Sequence, residues 1–296
     1  MSVHHHVFQL LNQPMLILSE QDGLVKIEDA NEAYLELVGK TLDAIKQLKS
    51  STLKESYHID LSKRIIRNEI IQTRNCDSIT VRIEQLPLPK AENNNIKRAF
   101  IIFEDLSAQL WINEQQEKGK VLISGIVDKH LQIRFFRDLL ASFLVDPDQS
   151  TNDEHLLQYI ADHERQKMLD TMEAAAHVNQ EQHMTLQTSK LGGVQLEFEL
   201  TFIPILNGFC ECKQFAFVIW DFRPTDNEID SAMKLKIWMA KRDMSTGQLS
   251  AATGISQQTI SKLRNGKIEK PQRLTAELIA SELQVDVHEI WTVIRK

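Results

Sequence analysis

Between residues 245 and 273 the chain gathers side chains suited to reading and holding a polyanion. Gln257 and Gln258 each carry a donor and an acceptor on one planar amide, the pair that fits adenine N6 and N7, whereas Lys262 suits guanine O6 and N7. Lys267, Lys270 and Arg273 follow and can neutralise phosphates, which supplies salt-dependent affinity. Catalytic signatures are missing by comparison. There is no Gly-rich phosphate loop, no His-Glu-x-x-His pair and no Gly-x-Ser-x-Gly elbow, so the sequence predicts no catalytic residue and no enzyme.

Those side chains need helices to present them, and the local grammar supplies two. Ser245 to Gln248 fits a capping box, with Ser245 as N-cap and Gln248 at the third helical position. Leu249 and Ala252 then form the apolar face of a short helix that Gly254 stops. Ser256 caps a second helix with Ile260 and Leu263 inward, ended by Asn265-Gly266. Two short helices joined by a tight glycine-containing turn make a helix-turn-helix, whose second helix enters the major groove. Flanking helices at 232–242, 274–283 and 287–294 complete a five-helix domain.

The run from Gly254 to Leu263, with Asn265-Gly266-Lys267 and Lys270-Pro271, resembles the DNA-binding domain of lambdoid phage repressors and the xenobiotic-response-element family of bacterial regulators. The resemblance implies base-edge contacts from Gln257, Gln258 and Lys262 and a phosphate contact from Thr246. It implies a loop through Asn265 and Lys267 along the DNA backbone, and Thr259 and Ser261 complete the expected DNA-facing set. Two departures from the family pattern, Thr246 and Lys262, leave the target sequence open, and Ser250 stands where the family usually places Ala.

Charge is partitioned to match. The 296 residues carry a net −7, which taken whole argues against nucleic acid. Residues 230–296 nevertheless hold 11 Lys/Arg against 7 Asp/Glu, a net +4, and the remaining 229 residues are net −11. Only the tail is expected to meet a polyanion.

Ahead of the tail the sequence repeats itself. Residues 99–106 (Ala-Phe-Ile-Ile-Phe-Glu-Asp-Leu) match 216–222 (Ala-Phe-Val-Ile-Trp-Asp-Phe), and alternating strands precede both, around Ile79–Ile83 and Val194–Phe202. Gly192-Gly193 and Asn207-Gly208 read as hairpin turns in the second copy, with φ > 0 expected at both positions of the latter. Helices are expected at 61–74 in the first copy and 154–176 in the second. The first copy opens with a strand at 14–19, an Asp22-Gly23 turn, a strand at 24–28, and Asn31-x-Ala33 leading a helix to Gly39. That opening, with Asp105-Leu106-Ser107 closing the last strand, resembles a PAS sensor domain and its exit motif. In the second copy 128–140 matches the opening poorly, while the closing strands and Trp220-Asp221-Phe222 match well.

The expected fold class is therefore α+β multidomain: two tandem PAS-like domains (antiparallel sheet with helices), then an all-α helix-turn-helix domain. The expected division is 1–106, a connector helix at 107–119, 120–224, and 225–296, with a new helix starting at Pro224-Thr225-Asp226.

Other residues are weaker candidates for chemistry. His4–His6 lack a carboxylate or cysteine partner at ligand spacing, so a mobile polar terminus is expected and no metal site. Cys210 and Cys212 could share a strand face as a thiol pair, but space-filling is favoured. Arg74-Asn75-Cys76 echoes a flavin-reactive cysteine motif, but it sits too late in the fold for that role. Haem held by His163, His177 or His183 ranks behind surface histidines, and no cofactor is expected. Three cysteines, no apolar run long enough for a membrane span and no leader-like N-terminus lead to a cytoplasmic expectation. The function expected is a one-component, signal-responsive transcription regulator that binds operator DNA as a homodimer, with a possible small-molecule ligand in a PAS pocket. A PAS-based adaptor whose helix-turn-helix docks a protein, and a haem or redox sensor, are the alternatives.

Overall fold

In a computed structural model the chain is described over residues 3–52, 60–74, 78–89, 96–138, 154–190, 195–225 and 230–295. It divides into two compact units. One is Met1–Asn113 with Pro204–Phe215, and the other is Glu114–Ile203 with Ala216–Lys296.

The first sheet has five antiparallel strands: β1 (Met15–Gln21), β2 (Leu24–Ala30), β3 (Ile65–Gln72), β4 (Ser78–Pro87) and β5 (Lys97–Asp105), in the order β2-β1-β5-β4-β3. Period-2 alternation decides which face is buried. Leu16 and Leu18 of β1, Val81 and Ile83 of β4, and Ala99, Ile101 and Phe103 of β5 point to one core, which α2 (Glu32–Val38) and α3 (Leu42–Lys46) close. Asn31 anchors that lid. Fully buried, it accepts from Met15 N and Tyr34 N and donates to the carbonyls of Leu11 and Gln13, so burying its amide leaves nothing unpaired.

The second sheet repeats the plan. Its strands β6 (Ile123–Asp128), β7 (Ile133–Asp138), β8 (Gln182–Gln187), β9 (Leu196–Leu206) and β10 (Cys212–Pro224) lie in the order β7-β6-β10-β9-β8. Counted within each copy, both sheets have the order 2-1-5-4-3. The similar segments 99–106 and 216–222 fall on β5 and β10, the middle strand of each sheet. Helix α4 (Ser107–Lys118) follows β5, and α5 (Asp162–Val178) packs on β8.

Several expectations are corrected. Residues 61–74 hold no helix: Ile65, Ile66, Ile70 and Ile71 mimic a helical spacing, but the segment forms β3, paired over eight residues with β4. β-branched side chains favour that outcome. The helix expected at 154–176 is a 3₁₀ turn (Leu156–Tyr159) followed by α5, because Ile160 makes a bridge to Thr188 that interrupts the run. Of the poorly matching 128–140 opening, residues 128–138 complete a hairpin begun earlier, at Ile123. The helix start expected at Pro224-Thr225-Asp226 falls mostly on residues outside those described. Thr225 N donates to Gln195 O, and the next described helix, α6 (Ser231–Lys241), is capped by Asp230. His4–His6 are not a mobile terminus but part of α1 (Val3–Leu10), pinned by Phe8 on Phe100 with ring centroids 6.2 Å apart and by His5 Nδ1 3.1 Å from Asp29.

Gly192-Gly193 and Cys76 lie outside the described residues. At the Asn207-Gly208 turn the left-handed residue is Cys210 (φ 65°), and neither Asn207 nor Gly208 has positive φ.

Candidate nucleic-acid interface

Beyond α6 come α7 (Thr246–Thr253), α8 (Gln257–Arg264), α9 (Arg273–Glu282) and the single turn α10 (Val287–Ile290). The helix expected to reach 294 stops at Ile290. Trp291 is extended, and Arg295 instead bridges to Gln272. Leu235, Leu249, Ile260, Leu263, Ile279 and Trp291 share one core, so each short helix is held by tertiary packing and not by its own length.

The two central helices have the expected ends. Ser245 accepts from Gln248 N while Gln248 Oε1 accepts from Ser245 N at 2.8 Å, completing the capping box. Gly254, at φ 71°, closes α7, and Ser256 caps α8. Ser250, the departure from the family pattern, has a structural use: its Oγ donates to Ile255 O at 2.6 Å and ties α7 across the turn. An alanine there would leave that carbonyl without this partner.

Helical periodicity sorts α8 into two faces. Ile260 and Leu263 are buried, while Gln257, Gln258 and Lys262 are exposed, with Ser261 half-buried beside them. Asn265, Lys267, Lys270 and Arg273 are exposed on the segment that follows. Thr246 is half-buried at the start of α7. The fold thus brings all ten expected residues into one small domain, though not all are equally free. Thr259 Oγ1 lies 2.9 Å from Ser256 Oγ within the α8 cap, Asn265 Nδ2 reaches Ser261 Oγ at 3.4 Å, and Arg273 Nε donates to Glu277 Oε1 at 2.7 Å. The Glu277 carboxylate pushes the Arg273 guanidinium above its ordinary range. Its charge is partly spent within α9.

Sequence reasoning missed Arg264. Its Nη1 lies 3.4 Å from Thr246 Oγ1, linking the end of α8 to the start of α7, and Lys262 and Arg264 place positive charge in the last turn of α8. The signal was available as a second basic residue, two positions beyond Lys262, closing the helix.

Among the described residues no group of three His, Cys, Asp or Glu could hold a metal ion, and no helix is long and apolar enough to cross a membrane. His163, His177 and His183 are exposed. Cys210 lies in the loop before β10 and Cys212 at its start, so the two do not share a strand; burial pushes the Cys212 thiol up.

Residues 234–296 match the family model of the Cro/C1-type HTH DNA-binding domain, and the five C-terminal helices are a domain of that class. No curated protein matches the chain. Among solved structures, a light-oxygen-voltage domain studied with a flavin analogue is similar at 12% identity and a TM-score of 0.30, covering 40% of this chain and 96% of that one. A PAS domain of a two-component sensor histidine kinase is similar at 9% identity and 0.28, covering 34% and 92%. The PAS domain of BvgS from Bordetella pertussis gives 15% and 0.28, covering 39% and 94%.

Proposed function

We propose that this protein is a cytoplasmic, signal-responsive transcription regulator that binds operator DNA as a homodimer. The carrying observation is the exposed face of α8, where Gln257, Gln258 and Lys262 stand outward on a helix whose other side is locked into a core. Their chemistry fits base edges in the major groove, while Lys267 and Lys270 suit the phosphates beside it. Thr246, Thr259, Ser261, Asn265 and Arg273 complete the reading, with Arg264 holding Thr246 in place. The sheets at 1–106 and 120–224 then serve to receive a signal, such as a small molecule, or to pair the subunits, with 107–119 connecting them and 225–296 meeting DNA.

An electrophoretic shift series with genomic fragments at rising salt tests this. Specific complexes should persist at salt that strips random DNA, because base contacts do not depend on counterion release. Loss of all binding at one common salt concentration would leave the adaptor reading in its place.

A further inference from the structure

The β9–β10 hairpin belongs to the sheet of the second copy, yet its end, Pro204–Phe215, lies in the compact unit of the first. Its loop amides account for themselves with one exception. Asn207 N donates to Glu211 O and Cys210 N to Asn207 O, while Asn207 Oδ1 accepts from Phe209 N and Glu211 N. The remaining amide, Gly208 N, donates at 2.7 Å to Glu36 O. That acceptor is in the last turn of α2, whose terminal carbonyls have no partner within the helix. An orphan donor of one copy meets an orphan acceptor of the other.

The glycine is placed for this contact and not for the turn. The left-handed residue is Cys210, a position where glycine would be favoured, whereas Gly208 has no positive φ. A Cβ built on Gly208 would lie 2.7 Å from Gly39 Cα and nearer still to Gly39 N and the Val38 carbonyl carbon. Gly39, itself left-handed at φ 68°, presents bare backbone in return. A second contact follows: Lys213 Nζ lies 3.9 Å from Asp105 Oδ2, and the other oxygen of that nearly buried carboxylate accepts from Ser107 N at the start of α4.

We propose that the C-terminal end of α2 is a docking surface for the β9–β10 tip of the same chain. The dock couples the two PAS-like domains by a route separate from α4, and it does not depend on the DNA-binding reading. A shift of α2 in the first domain would pull directly on the strand that leads to α6.

Hydrogen exchange on the full chain tests it, comparing parent, Gly208→Ala and Cys210→Gly. With the dock present, Gly208→Ala exchanges about tenfold faster across 207–211 and 36–40, while 198–203 and 216–220 keep their protection. Cys210→Gly, which relieves the left-handed residue, leaves 36–40 as in the parent. The proposal is overturned if Gly208→Ala exchanges like the parent. It is equally overturned if 198–203 and 216–220 lose protection to the same degree, since the glycine would then serve the hairpin itself, or if Cys210→Gly loosens 36–40.

Discussion

Two side chains on the α8 side of the tail make different physical claims. Gln258 is exposed and carries the paired donor and acceptor of an amide, so Gln258→Ala should cost about 1–3 kcal/mol on the specific site and relax base preference there. Lys267 offers only charge. Lys267→Ala should weaken all DNA alike and lower the salt slope by about one. Binding isotherms on specific and random duplexes separate the two, and equal losses on both duplexes for both variants would contradict these roles. The outward and inward sides of α8 were legible from residue types alone, since Ile260 and Leu263 are apolar at helical spacing between polar neighbours. The tie from Arg264 to Thr246 was not, because it joins residues 18 apart in sequence on separate helices.

At the level of elements, helix ends and strand ends carry the testable energies. Ser245→Ala removes one half of the α7 capping box and should lower stability by about 1 kcal/mol, read as a shift in the urea midpoint. The end of β10 makes a pH prediction. Burial pushes the Asp221 carboxyl up, but hydrogen bonds from Lys241 and Arg223 more than offset it and hold the group below its ordinary range. A depressed folded pKa gives stability that is present above the unfolded value, near 3.9, and lost as pH falls through the folded one. Asp221→Asn should therefore flatten the acid limb of a melting-temperature profile below about pH 5, and an unchanged acid limb would show the pairing to be energetically idle. The strand β3 shows the limit of element reading: its isoleucines fit two periods, and only the partner β4 chooses between them.

For the whole molecule, the charge split and a single small DNA-binding domain argue for pairing. On the proposed reading, a domain of net +4 on a body of net −11 would bind modestly alone, and two would act together on a dyad-symmetric operator with half-sites about 34 Å apart. Inserting about half a helical turn between half-sites should abolish cooperative binding, because the second recognition helix would face the wrong side of the duplex. Affinity that ignores the insertion would mean that one domain binds by itself.

By itself the sequence determined what local physics can specify. Capping residues, left-handed glycines, alternating strands and the repeat at 99–106 and 216–222 announced two sheets and a helix-turn-helix, because each signal depends on neighbours within a few residues. Tertiary structure decided what depends on partners far along the chain. It turned the middle of the expected 61–74 helix into a strand by offering β4, and it placed Thr246 beside Arg264. It also moved the meaning of Gly208 from a turn to a contact with α2, since a missing side chain shows its purpose only when the backbone it makes room for has arrived.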